Sequence, residues 1–343
     1  MAKPFPMPKP HKLSLIGGET LLGREIQEVL SDRKTGARIT AYAASGEGNF
    51  GEQEGDAVYL GALEASSLAG QEALIVAGSI EGALKAYNLV KAAGGHPTLI
   101  DCTPHLEAKP EARIVAPLLE DAEQDSGWLR VIAHPAASAL TLALVRLARY
   151  KPIQQAIAHV FVPASEMGKR GVSELHQQTT SLLGFKPLEK DVFDAQLGFN
   201  MLAQYGEQAP AKLSTIEQRI EHHVATLLSR HQSGSAIPMP SLRLIQAPVF
   251  HGYSISLWVQ FNENVNAGEV AEALACAQIE IRGQDEEAPD NVGAASQSGL
   301  IAGDIRIDRN NPRAAWLWIV ADNLRLTADA VADLVSGLEI KQQ

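Results

Sequence analysis

The feature that most constrains this chain is its opening: a short apolar run at Leu13–Ile16, the pair Gly17-Gly18, then a helical pattern from Leu21 to Leu30. A strand that breaks at glycine and turns straight into a helix is the first half of a βαβ unit. Apolar runs recur at Arg38–Ala43, Leu74–Ala77 and Thr98–Ile100, and helical stretches separate the last two, most clearly Ala83–Ala93. Strands that alternate with helices pair in parallel, and a parallel sheet needs cover on both faces. Arg113–Val115 and Leu129–Ile132 would complete that sheet.

The pattern then changes. Ser138–Arg149 reads as a helix without an internal breaker. Beyond it, Ala156–Val162, Leu242–Ile245, Ser254–Phe261, Gln278–Ile281, Leu300–Ile307 and Trp316–Val320 are strand-like, several with alternation of period two. Helices fall at Gly171–Leu183, Ser214–Ser229 and Ala267–Ala275, and Asp285–Ala295 reads as a polar loop. This region is expected to be an α+β domain on a mixed or antiparallel sheet. A terminal helix spans Leu326–Leu338, with Thr327 as its N-cap.

A length of 343 residues suits two domains. The net charge of −11 argues against nucleic acid or an anionic membrane as partner, because phosphates are repelled. Cys102 and Cys276 are too few and too far apart for a disulfide framework or a zinc site, so no metal is expected. Prolines at 4, 6, 8 and 10 make the start an extended lead-in, without the apolar stretch of a secretory signal. The longest apolar segment, Ala136–Ala148, falls short of the roughly 20 residues that span a bilayer. A soluble, cytoplasmic protein is expected.

Five segments carry a resemblance. "HPAASAL" (134–140) looks like the nucleophile loop Asn-Pro-Asn-Cys-Ser-Thr of the aspartate-semialdehyde dehydrogenases. "ASEMGKRGVSEL" (164–175) resembles their Ser-Gly-Ala-Gly-Lys stretch, and "FDAQLGFN" (193–200) their Phe-Pro-His-Gln-Ile-Ala-Phe-Asn. "PVFHGYS" (248–254) is similar to Pro-Val-x-x-Gly-His-Ser, and "LWIVADNLR" (317–325) matches almost letter for letter. The resemblance runs from about residue 12 to the end. It implies a Rossmann-type NADP-binding domain over 1–132, with a C-terminal helix, 324–343, packing back on it. It also implies a substrate and dimerisation domain over 133–323, and a homodimer formed through that domain's sheet.

The family's reaction, as the resemblance implies it, is attack of a thiolate on an aldehyde, hydride transfer to NADP, and cleavage of the thioester by phosphate. That needs a soft nucleophile, a base near neutrality, and cationic clamps for carboxylate and phosphate. The nucleophile position aligns with Ala137, and its preceding Asn with Ala136. The base position aligns with Tyr253, a phenol of pKa about 10 in water. The substrate-holding Gln aligns with Val162, the carboxylate Arg with the neutral Gln246, and a phosphate Arg with Glu107. On the 214–229 helix the family's Glu and Lys fall at Ile216 and Arg219, so Arg219 keeps one positive charge.

In the cofactor turn, Gly17 and Gly23 keep the outer glycines, while Thr20 replaces the middle one that lets a backbone approach phosphate. Glu19 would put a carboxylate at the helix N-terminus, satisfying the dipole that an anion would otherwise use. Gly46 stands where the family usually has an Arg near the 2′-phosphate. Plainer readings cover the remaining candidates. Ser138 is expected to cap a helix, Cys102 to be a small buried side chain, and Cys276 to lie in the core or at a strand edge. His222 and His223 are expected on a solvated face, His134 to donate to a loop carbonyl, and Tyr253 to be a packed, hydrogen-bonded ring.

The expected function is a non-catalytic homologue acting through its surfaces, pairing with itself or with an active paralogue. The alternative is an active NADP-dependent aspartate-semialdehyde dehydrogenase serving lysine, methionine and threonine synthesis. A third reading is a protein that binds a small metabolite in the cleft between its domains.

Overall fold

The computed structural model describes residues 11–33, 35–53, 56–119, 127–231, 236–283 and 285–340; the proline-bearing lead-in, up to Pro10, lies outside them. The chain divides into two compact units, Met1–Ala133 with Thr327–Gln343, and His134–Leu326. In chain order the first carries β1 (Lys12–Ile16), α1 (Leu21–Asp32), β2 (Arg38–Tyr42), β3 (Asn49–Gln53), β4 (Asp56–Leu60), β5 (Ala73–Val76), α2 (Ile80–Ala92), β6 (Thr98–Asp101), β7 (Ala112–Val115) and β8 (Leu129–Ile132). The second carries α3 (Pro135–Tyr150), β9 (Ile153–Val162), α4 (Gly168–Leu183), α5 (Leu213–Arg230), β10 (Ser241–Gln246), β11 (Tyr253–Phe261), α6 (Ala267–Leu274), β12 (Ile279–Ile281), β13 (Leu300–Asp308) and β14 (Asn311–Ala321). A last helix, α7 (Asn323–Ile340), follows.

The first unit holds six parallel strands in the order β2-β1-β5-β6-β8-β7. Its strand residues alternate between two cores. Leu13, Leu15, Ile75 and Ile100 pack with Ile26 and Val29 of α1 and with Ala328, Val331 and Val335 of α7. On the other face Ile16, Leu74, Val76 and Leu99 pack with Ala83, Ala86 and Val90 of α2. Full burial of each such aliphatic side chain contributes about 1.5–3 kcal/mol, which is why nearly unbroken apolar runs suit these strands. Strand order reverses between β1 and β5, so the crevice beyond their carboxyl ends is the place where such sheets take ligands.

The turn at that crevice depends on its two outer glycines. Gly17 sits at φ +83°, and a Cβ on Gly23 would lie 2.0 Å from the Gly17 carbonyl oxygen. Helix and strand therefore touch through bare backbone. The β3–β4 pair was not foreseen, because "NFGEQ" and "DAVYL" lack an apolar alternation; Phe50 and Tyr59, opposite each other in the register, meet edge to face at 5.4 Å.

The second unit's sheet is mixed, in the order β10-β9-β11-β14-β13-β12; β9–β10 and β12–β13 are parallel and the rest antiparallel. Helices α3, α5 and α6 pack on one face, where Ile255, Leu257, Val259 and Phe261 are buried. The opposite face is half-exposed and aromatic. Trp258 lies across from Ile157 and Trp316, and Ser256 from His159 and Trp318. Three of the chain's four tryptophans thus share this open face.

Two helix starts differ from expectation. Helix α7 begins at Asn323, so Thr327 lies inside it and is not its cap. Asp322 Oδ1 accepts from the amides of Leu324 and Arg325 at 2.9 and 3.0 Å, satisfying the donors a helix start exposes. Helix α3 begins at Pro135 with His134 as N-cap, which leaves Ser138 in the helix and not capping it. Among the described residues no helix is long and apolar enough to cross a membrane.

Candidate functional site

Val162, Gln246 and Tyr253 lie together where β9 and β10 end and β11 begins. Gln246 is the register partner of Val162, and Tyr253 opens the neighbouring strand. The Gly252 turn before Tyr253 takes φ +83°, and its amide donates to Asn323 Oδ1 at 3.0 Å. Ser165 Oγ donates to the same oxygen at 3.2 Å, tying the 164–167 turn to the start of β11.

His134 is fixed from two sides. Its backbone amide donates to His223 Nδ1 at 2.9 Å, and its own Nδ1 accepts the Ala136 amide at 3.2 Å. A ring nitrogen that accepts carries no proton, which assigns the ring proton to Nε2. Nε2 donates to Glu166 Oε1 at 3.1 Å and lies 3.4 Å from the Tyr253 hydroxyl. The expectation of a loop carbonyl as His134's partner is corrected by this geometry. His223 is fully buried, so the solvated-face reading fails for it and holds for His222 alone.

Glu166 was not singled out in the sequence, yet it is the centre of the cluster. The Tyr253 hydroxyl donates to its Oε2, and its side chain is only 15% exposed. Burial by itself would raise its pKa. Coulombic attraction to and a hydrogen bond from His134, the hydrogen bond from Tyr253 and the charge of Arg219 outweigh that and hold it down to about 2. Tyr253 is driven the opposite way, well above 10, first by burial and then by the Glu166 charge. It is a packed, hydrogen-bonded phenol, as the sequence suggested, and stays protonated at neutral pH. A signal for Glu166 existed. Set against Ser-Gly-Ala-Gly-Lys letter by letter, Ser165-Glu166-Met167-Gly168-Lys169 puts an acid where a glycine stands.

The other positions carry no spare chemistry. Ala137 and Ala136 are fully buried in the first turn of α3. Gln246 is committed on both sides: its Oε1 accepts from Tyr205 at 2.6 Å, and its Nε2 donates to the carbonyls of Val162 and Ala247 at 2.8 and 3.1 Å. Ile216 and Arg219 are half-buried on α5. Cys102 is packed against the core of the first unit, and burial pushes its thiol up, away from thiolate reactivity. Cys276 pairs with Ile279 in an isolated bridge, at a strand edge. No group of metal-ligating side chains occurs among the described residues.

In the first unit Glu107 is half-buried in the loop after β6. The Gly17–Gly23 turn corrects the reading of Glu19. Its Oε1 reaches across to the Ala44 amide beyond β2, at 2.8 Å, rather than to the start of α1. The helix is capped instead by Thr20, whose Oγ1 accepts from the Gly23 amide at 3.0 Å and shares its proton between the carbonyls of Gly17 and Ala77. Glu19 Oε2 is buried without a hydrogen-bond partner among the described residues. Gly46, at φ +74°, receives a hydrogen bond from Lys85 Nζ, and that lysine also pairs with Glu47.

Because Glu166 has a folded pKa below its ordinary 4.5, it stabilises the fold above that pH and loses the effect as pH falls through about 2. Glu166→Gln is expected to be less stable than wild type at pH 7 by on the order of 3 kcal/mol, since it strips partners from buried donors. Urea unfolding followed from pH 7 downward should show the gap shrinking below about pH 4.5. A gap that stays constant to pH 3 would contradict the ionised carboxylate.

Residues 146–326 match the profile of the semialdehyde dehydrogenase dimerisation domain, which is more than half of the 343-residue chain. A USG-1 protein homolog of Pseudomonas aeruginosa is 40% identical over 179 residues, 52% of either chain, so that match spans about half of its length. A second, from Azotobacter vinelandii, is 26% identical over 341 residues, 96% of this chain and 98% of its own. Among solved structures, a probable aspartate-semialdehyde dehydrogenase from Pseudomonas aeruginosa superposes with a TM-score of 0.79 at 29% identity, over 97% of this chain and 99% of that one. The chain is a member of the semialdehyde dehydrogenase family, a homologue of the aspartate-semialdehyde dehydrogenases built on their fold.

Proposed function

We propose that this chain is a non-catalytic homologue of aspartate-semialdehyde dehydrogenase that acts as a dimer through the open face of its second-unit sheet. The observation that carries this reading is Glu166. A buried carboxylate takes the hydrogen bonds of Tyr253 and His134 and the charge of Arg219; Tyr253 and Arg219 are two of the aligned positions. Thioester chemistry needs a thiolate, and Ala137 offers a fully buried methyl group. Base catalysis needs an acceptor that is free near neutrality, and the Tyr253 phenol holds its proton and donates it to Glu166. A carboxylate clamp needs a cation, and Gln246 is neutral with both amide ends already used.

The first-unit turn is a poor fit for NADP. The amide of Gly23 at the start of α1, a natural phosphate donor, is taken by Thr20. The end of β2, where Rossmann-type sheets read the ribose and its 2′-phosphate, receives the Glu19 carboxylate. Lys85, the nearby cation bonded to Gly46, is paired with Glu47. A 2′-phosphate would meet net negative charge there.

Dimerisation is supported by the matched domain and by the open sheet face. Trp258, Trp316 and Trp318 with Phe161 form a half-exposed aromatic surface; Trp316 is 38% exposed. Aromatic anchors of this kind dominate protein interfaces.

Protein purified from a host lacking its own enzyme should show no phosphate-dependent NADP reduction with aspartate semialdehyde above the protein-free background, and Ala137→Cys should not restore it. Clear turnover by the wild-type chain would instead establish the active dehydrogenase. Sedimentation should find a dimer, and Trp316→Glu should weaken it by about two orders of magnitude. An unchanged dimer in that variant would place the interface elsewhere, and native mass spectrometry of a mixture with an active paralogue would reveal mixed pairs.

A further inference from the structure

The groups around Glu166 are held in place without its help. The His134 ring is fixed by the Ala136 amide on Nδ1, with the backbone amide of His134 on His223. Tyr253 is fixed by its strand, pairing with Ala321 of β14, and Arg219 stands on α5. Glu166 itself arrives on a different piece of chain, the short turn Ala164–Met167, which is anchored by the Ala164 and Ser165 amides to the carbonyls of Val249 and Phe250. Two directed donors are therefore held around the Glu166 carboxylate, and the charge of Arg219 acts on it.

We infer that His134, Tyr253 and Arg219 constitute a monocarboxylate-binding site whose occupant is the chain's own Glu166. The donor set selects the chemistry. His134 Nε2–H addresses one oxygen and the Tyr253 hydroxyl the other, which matches the two oxygens of a planar carboxylate. A phosphate would bring further oxygens and a second charge to a place where the Glu166 side chain is only 15% exposed and where two donors already match a single carboxylate. Because the internal carboxylate is tethered beside its donors, its effective concentration keeps external carboxylates out. In the native protein the site is closed to small acidic metabolites by an intramolecular ligand.

The size of the missing piece sets the test. Glu166→Ala deletes a carboxymethyl group, which is acetate in volume and charge. Thermal melts at pH 7 and matched ionic strength compare sodium acetate, phosphate and chloride on wild type, Glu166→Ala and Glu166→Gln. Acetate at about 100 mM should raise the Tm of Glu166→Ala by about 2–4 °C more than chloride does, saturably, and phosphate should not. Wild type, and Glu166→Gln with its space still filled, should show no acetate-specific shift. Adding Arg219→Gln to Glu166→Ala should abolish the response. Where Glu166→Ala does not stay folded in plain buffer, refolding yield in acetate against chloride is the readout, with a higher yield in acetate expected. Equal responses to all three salts, or equal refolding yields, would overturn the inference, as would a larger response to phosphate.

Discussion

The charge on Glu166 sets the terms for everything around it. An ionised carboxylate taken out of water is costly unless hydrogen bonds and opposite charge compensate it. Here that compensation reaches the turn that carries Glu166 from three elements at once: the cap of α3 through His134, the first residue of β11 through Tyr253, and the α5 helix through Arg219. The same elements are joined beneath by neutral polar groups. Asn323 ties Gly252 to Ser165, and Gln246 ties Tyr205 to Val162. The cluster is thus a closed network with its capacity used internally. Closed networks of this kind rigidify a fold, whereas a site that turns over substrate must leave donors and acceptors for the ligand.

The turn after β1 follows a similar rule by different means. The glycines required by close approach, Gly17 and Gly23, are present, so helix and strand pack as a nucleotide-binding turn does. Around them, Thr20 takes the Gly23 amide and Glu19 takes an amide beyond β2. Backbone geometry of the family frame is kept while polar groups that would greet a ligand are answered by the chain.

How far this could be read from sequence differs by feature. The alternation of apolar runs was enough to place the parallel sheet, because buried strands and covering helices impose different periods. Ala137, Tyr253, Val162 and Gln246 were readable as letters at the positions of the resemblance, and the structure gathers those on β9, β10 and β11 at one end of the sheet. The partner of Tyr253 was not visible, since Glu166 meets it across 87 residues of chain. His223 could have been placed: it lies three residues after Ile220 and four before Leu227, on the apolar stripe of α5. The Asp322 cap was missed because Thr327 competes as a capping residue, and only backbone geometry tells which one stands at the helix start. The β3–β4 pair has no apolar pattern to announce it.

The most direct test of this account is the charge state of Glu166 itself. Carbon-13 NMR of protein labelled at the glutamate carboxyl carbon, with Glu166→Gln used to assign the signal, follows that one group as pH is lowered from 7 to 3.5. The account predicts a resonance that stays at its ionised position throughout, because the group titrates near 2. A midpoint near 4.5 would show that the carboxylate is neither buried nor partnered as described, and that the site is open to a ligand after all.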